Sequence, residues 1–303
     1  MNNIIRTKIY SMIEDENNHC EGEFMKRLVL IMAVLILSAC SQNTESDMRI
    51  VSLIPSNTEI VSELIGTDNL VGVTTVDTYP ESLNESDIER IDTFNLEPET
   101  IIELNPTHII SHASINEMTK AEIDQVVDAT DAELLVVDDA VDISGVYETI
   151  EDIGEFLKVT DESDALVEKM KRDYKSLVDT FKDKDAKTAF VLISQAPDFY
   201  IAGNDTFIDS ILADVKIDNV FNDIDGFPLV DIEEIIDREP EYLISAIGMN
   251  DTELNDMIQN EKGFKNMAFT DKNEQCVPNV DEISRPGPRI ISGVKSVAEC
   301  IHE

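Results

Sequence analysis

The sequence predicts an α/β protein of two lobes, each built on a mainly parallel sheet, joined by a single long helix. Three observations carry this. Short β-branched runs alternate with helical patterns over residues 49–143 and again over 184–303, as repeated strand–helix–strand units do. Residues 144–183, between them, hold helical spacing only. The lobes also echo one another. Residues 99–111, ETIIELNPTHIIS, and 233–245, EEIIDREPEYLIS, match at six of thirteen positions with a constant offset of 134. Glu99/Glu233, Pro106/Pro240 and Ser111/Ser245 are among the identities, and each segment spells helix, Pro-marked turn, strand.

From the start of the chain, residues 1–24 show neither long apolar periodicity nor an export feature. Lys26 and Arg27 follow Met25, then ten apolar residues (Leu28 to Leu37), then Leu37-Ser38-Ala39-Cys40. Basic, apolar and small residues in that order describe a secretory signal, and ten apolar residues fall short of the roughly twenty that span a bilayer. The closing tetrapeptide resembles the lipobox of bacterial lipoproteins, in which the Cys, here Cys40, is lipidated and becomes the mature N-terminus. Glu21-Gly22-Glu23 can be encoded by GAA-GGA-GAA, a ribosome-binding sequence at a suitable distance before Met25. Translation is therefore expected to start at Met25, with 1–24 an upstream extension, 25–39 the signal and 40–48 a lipidated tether.

The stretch "RIVSLIP", from Arg49, reads as a buried strand ended by Pro55, and Ser56, Asn57 and Thr58 offer N-cap oxygens to "EIVSELIG", a helix stopped by Gly66. Next come "NLVGVTT" as strand, "PETIIELNP" as short helix, "THIISH" as strand, "MTKAEIDQVVDAT" as helix and "AELLVVD" as strand. "ISGVYETIEDIGEFLK" and "ESDALVEKMKRDYKSLVDTFKDK" then carry apolar residues three and four apart, and the second alone makes a helix of about 30 Å. Strand and helix alternate again from "KTAFVLIS" to the end.

Residues 40–303 number 264, enough for two ordinary domains. The 63 acidic and 23 basic residues give a formal charge of −40, which excludes nucleic acid as a partner, since phosphates demand Lys and Arg. Binding to an anionic membrane by charge is disfavoured too, leaving the lipid as anchor. Cys276 and Cys300 are expected as buried free thiols, although an exported region permits a disulfide.

No GxSxG, P-loop or HExxH motif is present, so no catalytic residue, resident cofactor or metal site is expected. His108 and His112 stand four apart on a strand, about 13 Å, too far to chelate one ion. His112 ends its strand at the carboxyl edge, where open α/β sheets place ligands; a solvent-facing structural histidine is the first reading and a ligand contact the second. The same edge collects Ser56, Asn57, Tyr79, Phe199 and Tyr200 as candidate ligand contacts, while Phe94 and Phe227 sit in loops before the echoed helices. Arg285 and Arg289 flank a Pro-Gly-Pro turn, a positive island suited to a carboxylate, phosphate or amide-rich ligand, or else charge relief for Asp281 and Glu282.

Together "RIVSLIPSNTEIVSELIG", "VGVTTVDTYPE", "LNPTHIISHAS", "IAGNDTFIDSIL" and "SRPGPRI" resemble the solute-binding lipoproteins of ABC importers for cobalamin, ferric siderophores and haem, over roughly residues 49–303. The resemblance implies a ligand cleft between the lobes and a metal chelate as cargo, with cobalamin or another corrinoid first and a ferric siderophore next. Phe94 and Phe227 fall where tryptophans often stand in the cobalamin branch. The axial positions of haem-binding relatives fall on Leu96 and Ile247, which cannot ligate iron, so haem ranks third. The resemblance further implies docking to a permease dimer through one glutamate per lobe, here Glu99 and Glu233. An enzyme on a similar two-lobed scaffold is the alternative class.

Overall fold

Residues 48–195 and 199–303 are described by the structure, a computed structural model. The signal, Cys40 and the residues before Met48 lie outside them. Residues 48–303 form a single unit.

The first sheet has five strands, all parallel, in the order β3-β2-β1-β4-β5: β1 Ile50–Ser52, β2 Leu70–Thr74, β3 Glu89–Ile91, β4 His108–His112 and β5 Glu133–Val137. Helices α1 (Pro55–Ile65), α2 (Pro98–Glu103) and α3 (Ala113–Thr130) connect them. The second sheet contains β6 Lys187–Ser194, β7 Phe199–Ile201, β8 Ile217–Asn219, β9 Leu229–Val230, β10 Tyr242–Ser245 and β11 Gln275–Cys276. Its order is β11-β10-β6-β7-β9, with β8 also beside β6. Pairings of β6 with β8 and β10, and of β10 with β11, are parallel, whereas β7 and β9 add an antiparallel edge.

The echo is realised in register. β4 begins at His108 and β10 at Tyr242, the offset found in the sequence; each follows a short helix, α2 or α7 (Ile232–Arg238). β4 lies between β1 and β5, and β10 between β6 and β11. Both lobes therefore use one unit, strand–helix–strand with the same neighbours.

Successive residues of the central strands serve opposite faces, as a period of two requires. Ala189 and Val191 of β6 join a core shared with the connecting helices, while Phe190 and Leu192 join a second core rich in phenylalanine. Ile50 and Val51 of β1 divide likewise between the shared core and one confined to the first lobe. Burial on both faces explains the nearly unbroken apolar runs.

The spine is two helices, α4 (Ile143–Phe156) and α5 (Thr160–Phe181). Lys158, at φ 61, turns the chain between them. Gly154 permits the close crossing, because a Cβ there would lie 2.1 Å from Ser163 Oγ. The 22 residues of α5 span about 33 Å. It buries Leu166, Val167, Met170, Tyr174, Leu177 and Phe181 on one stripe, and Tyr174 Oη donates to Asp214 Oδ2 at 2.8 Å. Helices α8 (Asp251–Asn260) and α9 (Val280–Ser284) stand either side of β11 in the chain.

Two expectations are corrected. α1 starts at Pro55 with Ile54 at its N-cap and no side-chain cap, so Ser56, Asn57 and Thr58 occupy its first turn. Proline suits this first position because its missing N–H would be unpaired there anyway. Cys276 and Cys300 are not free thiols: they form a disulfide, with Cα atoms 6.0 Å apart, tying β11 to the last helix, α10 (Ile290–His302).

Candidate functional site

Parallel strands aim their carboxyl ends the same way, and in this fold both sheets aim them at one cavity of about 570 Å³. Its wall uses residues just beyond β1 (Ile54, Pro55, Ser56), at the end of β4 (His112, Ser114) and beyond β5 (Asp139, Ala140, Val141). The second lobe supplies Ile193 near the end of β6, Ala246 after β10, Asp205–Ile208 and Phe227. Ser284, Arg285 and Pro286 close one side. Strand ends are where an open α/β sheet offers loops and helix N-termini to a ligand.

On the first lobe, Asn57 is fully buried and its Nδ2 donates to Ser111 O at 3.2 Å, tying α1 to the end of β4 and so fixing His112. The His112 imidazole caps α3: its Nδ1 accepts from the Ser114 backbone N–H at 3.1 Å and lies 2.8 Å from Ser114 Oγ. Asp139 Oδ1 lies 3.5 Å from the same nitrogen. Burial pushes the imidazole below its ordinary pKa, against the opposing pull of Asp139 and then Asp138. Serine, histidine and aspartate meet here, but not as a relay. A relay needs the hydroxyl and the carboxylate on opposite ring nitrogens, and both approach Nδ1.

On the second lobe, the segment after β7 is locked to the loop preceding Phe227. Gly203 N donates to Gly226 O at 2.8 Å and Gly226 N returns a bond to Asn204 O at 2.8 Å. Only glycine fits at 203, since a Cβ would stand 2.0 Å from Ile224 O. Thr206 then caps α6 (Phe207–Asp214) through Oγ1, which accepts from Asp209 N at 3.2 Å. This sets Phe227, 55% exposed, into the wall.

The lobes are bridged beside the cavity by ion pairs. Glu59 of α1 is buried, and its carboxylate accepts from Arg285 Nη1 at 3.1 Å and from Arg289 Nε and Nη2 at 2.9 and 2.6 Å. Arg285 also pairs with Asp281 at 2.8 Å and donates to Val76 O at 3.1 Å. The Arg289 guanidinium lies 4.0 Å above the Tyr79 ring.

Of the residues singled out in the sequence, Ser56, His112, Phe227 and Arg285 line the cavity. Others stand elsewhere. Asn57 is interior, and Tyr79 lies under Arg289. Arg289 is occupied by Glu59 rather than free for a ligand, and so largely is Arg285. Phe199 and Tyr200 are not loop residues but strand β7, with Phe199 packed 5.8 Å from Phe264. Phe94 is 87% exposed and off the wall. His112 is buried, not solvent-facing. Glu99 and Glu233 are exposed in the first turns of α2 and α7. Glu59, Asp139, Asp205 and Ala246 were not singled out. Asp139 and Ala246 follow predicted strands directly, so the strand-edge rule applied throughout would have found them; Glu59 carries no local signal. Among the described residues, no cluster of three or more His, Cys, Asp or Glu could hold a metal.

Two α/β lobes facing one open cavity are the architecture of a small-molecule binding protein. The chain belongs to the periplasmic binding protein family, whose profile matches residues 50–275; it is a binding protein, not an enzyme. It is 31% identical over 283 residues, 91% of this chain and 88% of the relative, to an uncharacterized ABC transporter substrate-binding lipoprotein, YvrC, of Bacillus subtilis (strain 168). It is 24% identical to the vitamin B12-binding protein of Vibrio campbellii over 88% of this chain and 93% of that one. A solved structure from Staphylococcus epidermidis ATCC 12228, described as a possible iron-binding (periplasmic solute-binding) protein, superposes with a TM-score of 0.76 at 32% identity, covering 84% of this chain and 98% of the other.

Proposed function

We propose that this protein is an exported solute-binding lipoprotein, held to the outer face of the cell membrane by a lipid on Cys40. It captures a metal chelate, a corrinoid such as cobalamin first and a ferric siderophore second, and delivers it to an ABC importer. The observation that carries the reading is the cavity between the lobes. Its wall combines apolar contact from Ile54, Val141, Phe207 and Phe227 with a few polar groups, Ser56, His112, Asp139 and Arg285, the mixture typical of small-molecule sites. Names borne by the relatives agree with the class. Against haem stands the wall itself: His112 is present, but among the described residues no Met, Tyr or Cys lines it to complete an axial pair.

Glu99 and Glu233 serve as the permease contacts in this reading, one carboxylate per lobe for two equivalent permease surfaces. The test is a thermal-shift panel of cobalamin, cobinamide, hydroxamate and catecholate ferric complexes, and haemin. A corrinoid at one hundred times its dissociation constant adds about 2.7 kcal/mol to stability. A shift with a siderophore or haemin alone would replace the corrinoid as cargo. Processing and lipid labelling lost in Cys40→Ala would support the anchor, and unchanged labelling would remove it.

A further inference from the structure

One hydrogen bond decides what His112 can offer a ligand. A backbone N–H can only donate, so the 3.1 Å contact from Ser114 N places the lone pair on Nδ1, and a neutral ring then carries its proton on Nε2. Asp139 does not reverse this. It lies 3.5 Å away with its side chain 63% exposed, and Ser114 Oγ, at 2.8 Å, can donate to the ring as well. Burial favours the neutral ring. His112 is 6% exposed and lines the cavity, while its Nε2 has no hydrogen-bond partner among the described residues.

We infer that His112 presents an Nε2–H donor to the cleft, where it selects a ligand by a peripheral oxygen acceptor and does not ligate the ligand's metal. To offer Nε2 as a lone pair, the ring would have to protonate Nδ1 and set that hydrogen against the Ser114 N–H, breaking the cap of an 18-residue helix. The surroundings favour an acceptor. α1, α3 and α6 all begin at the cavity wall, and helix N-termini carry partial positive charge. A full anion is disfavoured by Asp139 and Asp205 on the same wall. The acceptor is thus the oxygen of a neutral polar group, a carboxamide in the corrinoid case. This assignment rests on the corrinoid reading, whereas the tautomer of His112 does not.

Two measurements on the full mature protein separate these parts. Long-range ¹H–¹⁵N correlation spectra of the ligand-free protein should show His112 as the Nε2–H tautomer; an Nδ1–H tautomer overturns the donor. Titration with dicyanocobinamide, whose axial sites are both filled, and with diaquacobinamide should both proceed without displacement of the cobalt absorption bands. His112→Phe should weaken binding of both about tenfold, and His112→Gln, which keeps an N–H, should lose less. Tighter diaquacobinamide binding with shifted bands, abolished in His112→Gln, would make His112 a metal ligand and overturn the inference. No corrinoid binding by the wild type would overturn the carboxamide assignment, and the spectra would still decide the tautomer.

Discussion

Arg289, after the C-terminal Pro-Gly-Pro turn, grips Glu59 of the first helix by two hydrogen bonds, Nε to Oε2 at 2.9 Å and Nη2 to Oε1 at 2.6 Å, across 230 residues of sequence. With Arg285 on the same carboxylate, the two ends of the folded chain are fastened together beside the cavity. The Glu59 side chain is 1% exposed, so removing its charge leaves two guanidiniums facing a neutral amide in a dry setting. Breaking a buried pair in this way costs about 3–5 kcal/mol. Glu59→Gln should therefore lose about 3 kcal/mol in urea denaturation, while Glu63→Gln, exposed on the same helix, stays within about 0.5 kcal/mol. Equal losses would deny the bridge its role.

Asp77 gives a pH dependence. Its Oδ2 accepts from Thr74 N and Oγ1, both at 2.7 Å, but Oδ1 is buried without a partner. Burial raises its pKa, outweighing the hydrogen bonds that lower it. A folded carboxyl with a raised pKa binds more protons than the unfolded one between the two values, so its contribution to stability falls as pH rises through that window. Asp77→Asn removes this cost. The variant should gain stability relative to wild type at pH 7 and lose that advantage at pH 3.5, as read from melting curves. A constant difference across pH would show that Asp77 does not titrate in the folded protein.

The Cys276–Cys300 disulfide closes a loop of sequence separation 24. Constraint of the unfolded chain by such a loop is worth about 3 kcal/mol. A Cys276→Ser/Cys300→Ser double variant should lose about 3 kcal/mol of unfolding free energy, melt at a lower temperature and become insensitive to reductant. Cobinamide affinity should change little, because neither residue lines the cavity.

Glu99 and Glu233 stand at equivalent points, one in the first turn of each echoed helix. A carboxylate there also suits the helix dipole, which explains the residue without any partner. Docking predicts more. Glu99→Arg/Glu233→Arg should leave melting and ligand affinity nearly unchanged yet abolish most uptake through the permease, since exposed charges tune encounter more than stability. Full uptake by the double variant would leave only the helix ends as their role.

Much of the fold was legible because burial on two faces writes apolar runs in β1, β2, β4, β6 and β10, and the half-buried edge strand β5 keeps one too; all six lie where alternation placed them. Short or polar strands were not. Glu-Arg-Ile of β3 and Leu-Val of β9 are held by their neighbours' backbone, which no side-chain pattern records. The site was legible where it follows a strand end, as with Ser56 and His112, and at two marked loops, as with Phe227 and Arg285. Arg285 and Arg289 were read as a ligand contact or as charge relief for Asp281 and Glu282, and those two pairs form; their shared partner Glu59 went unseen because it lies far away in sequence and no local pattern marks it. The disulfide was missed for the same reason, since spacing alone does not reveal that β11 and α10 adjoin.

A chelate held by the cavity wall must touch Phe227. It is the exposed aromatic that the Gly203–Gly226 lock sets into the wall, whereas Phe94 stands off it. Calorimetric titration of cobinamide into wild type, Phe227→Ala and Phe94→Ala should give one site per chain, with a loss of about tenfold, or about 1.4 kcal/mol, in Phe227→Ala and a smaller one in Phe94→Ala. Wild-type affinity in Phe227→Ala would place the ligand outside this cavity and contradict the account.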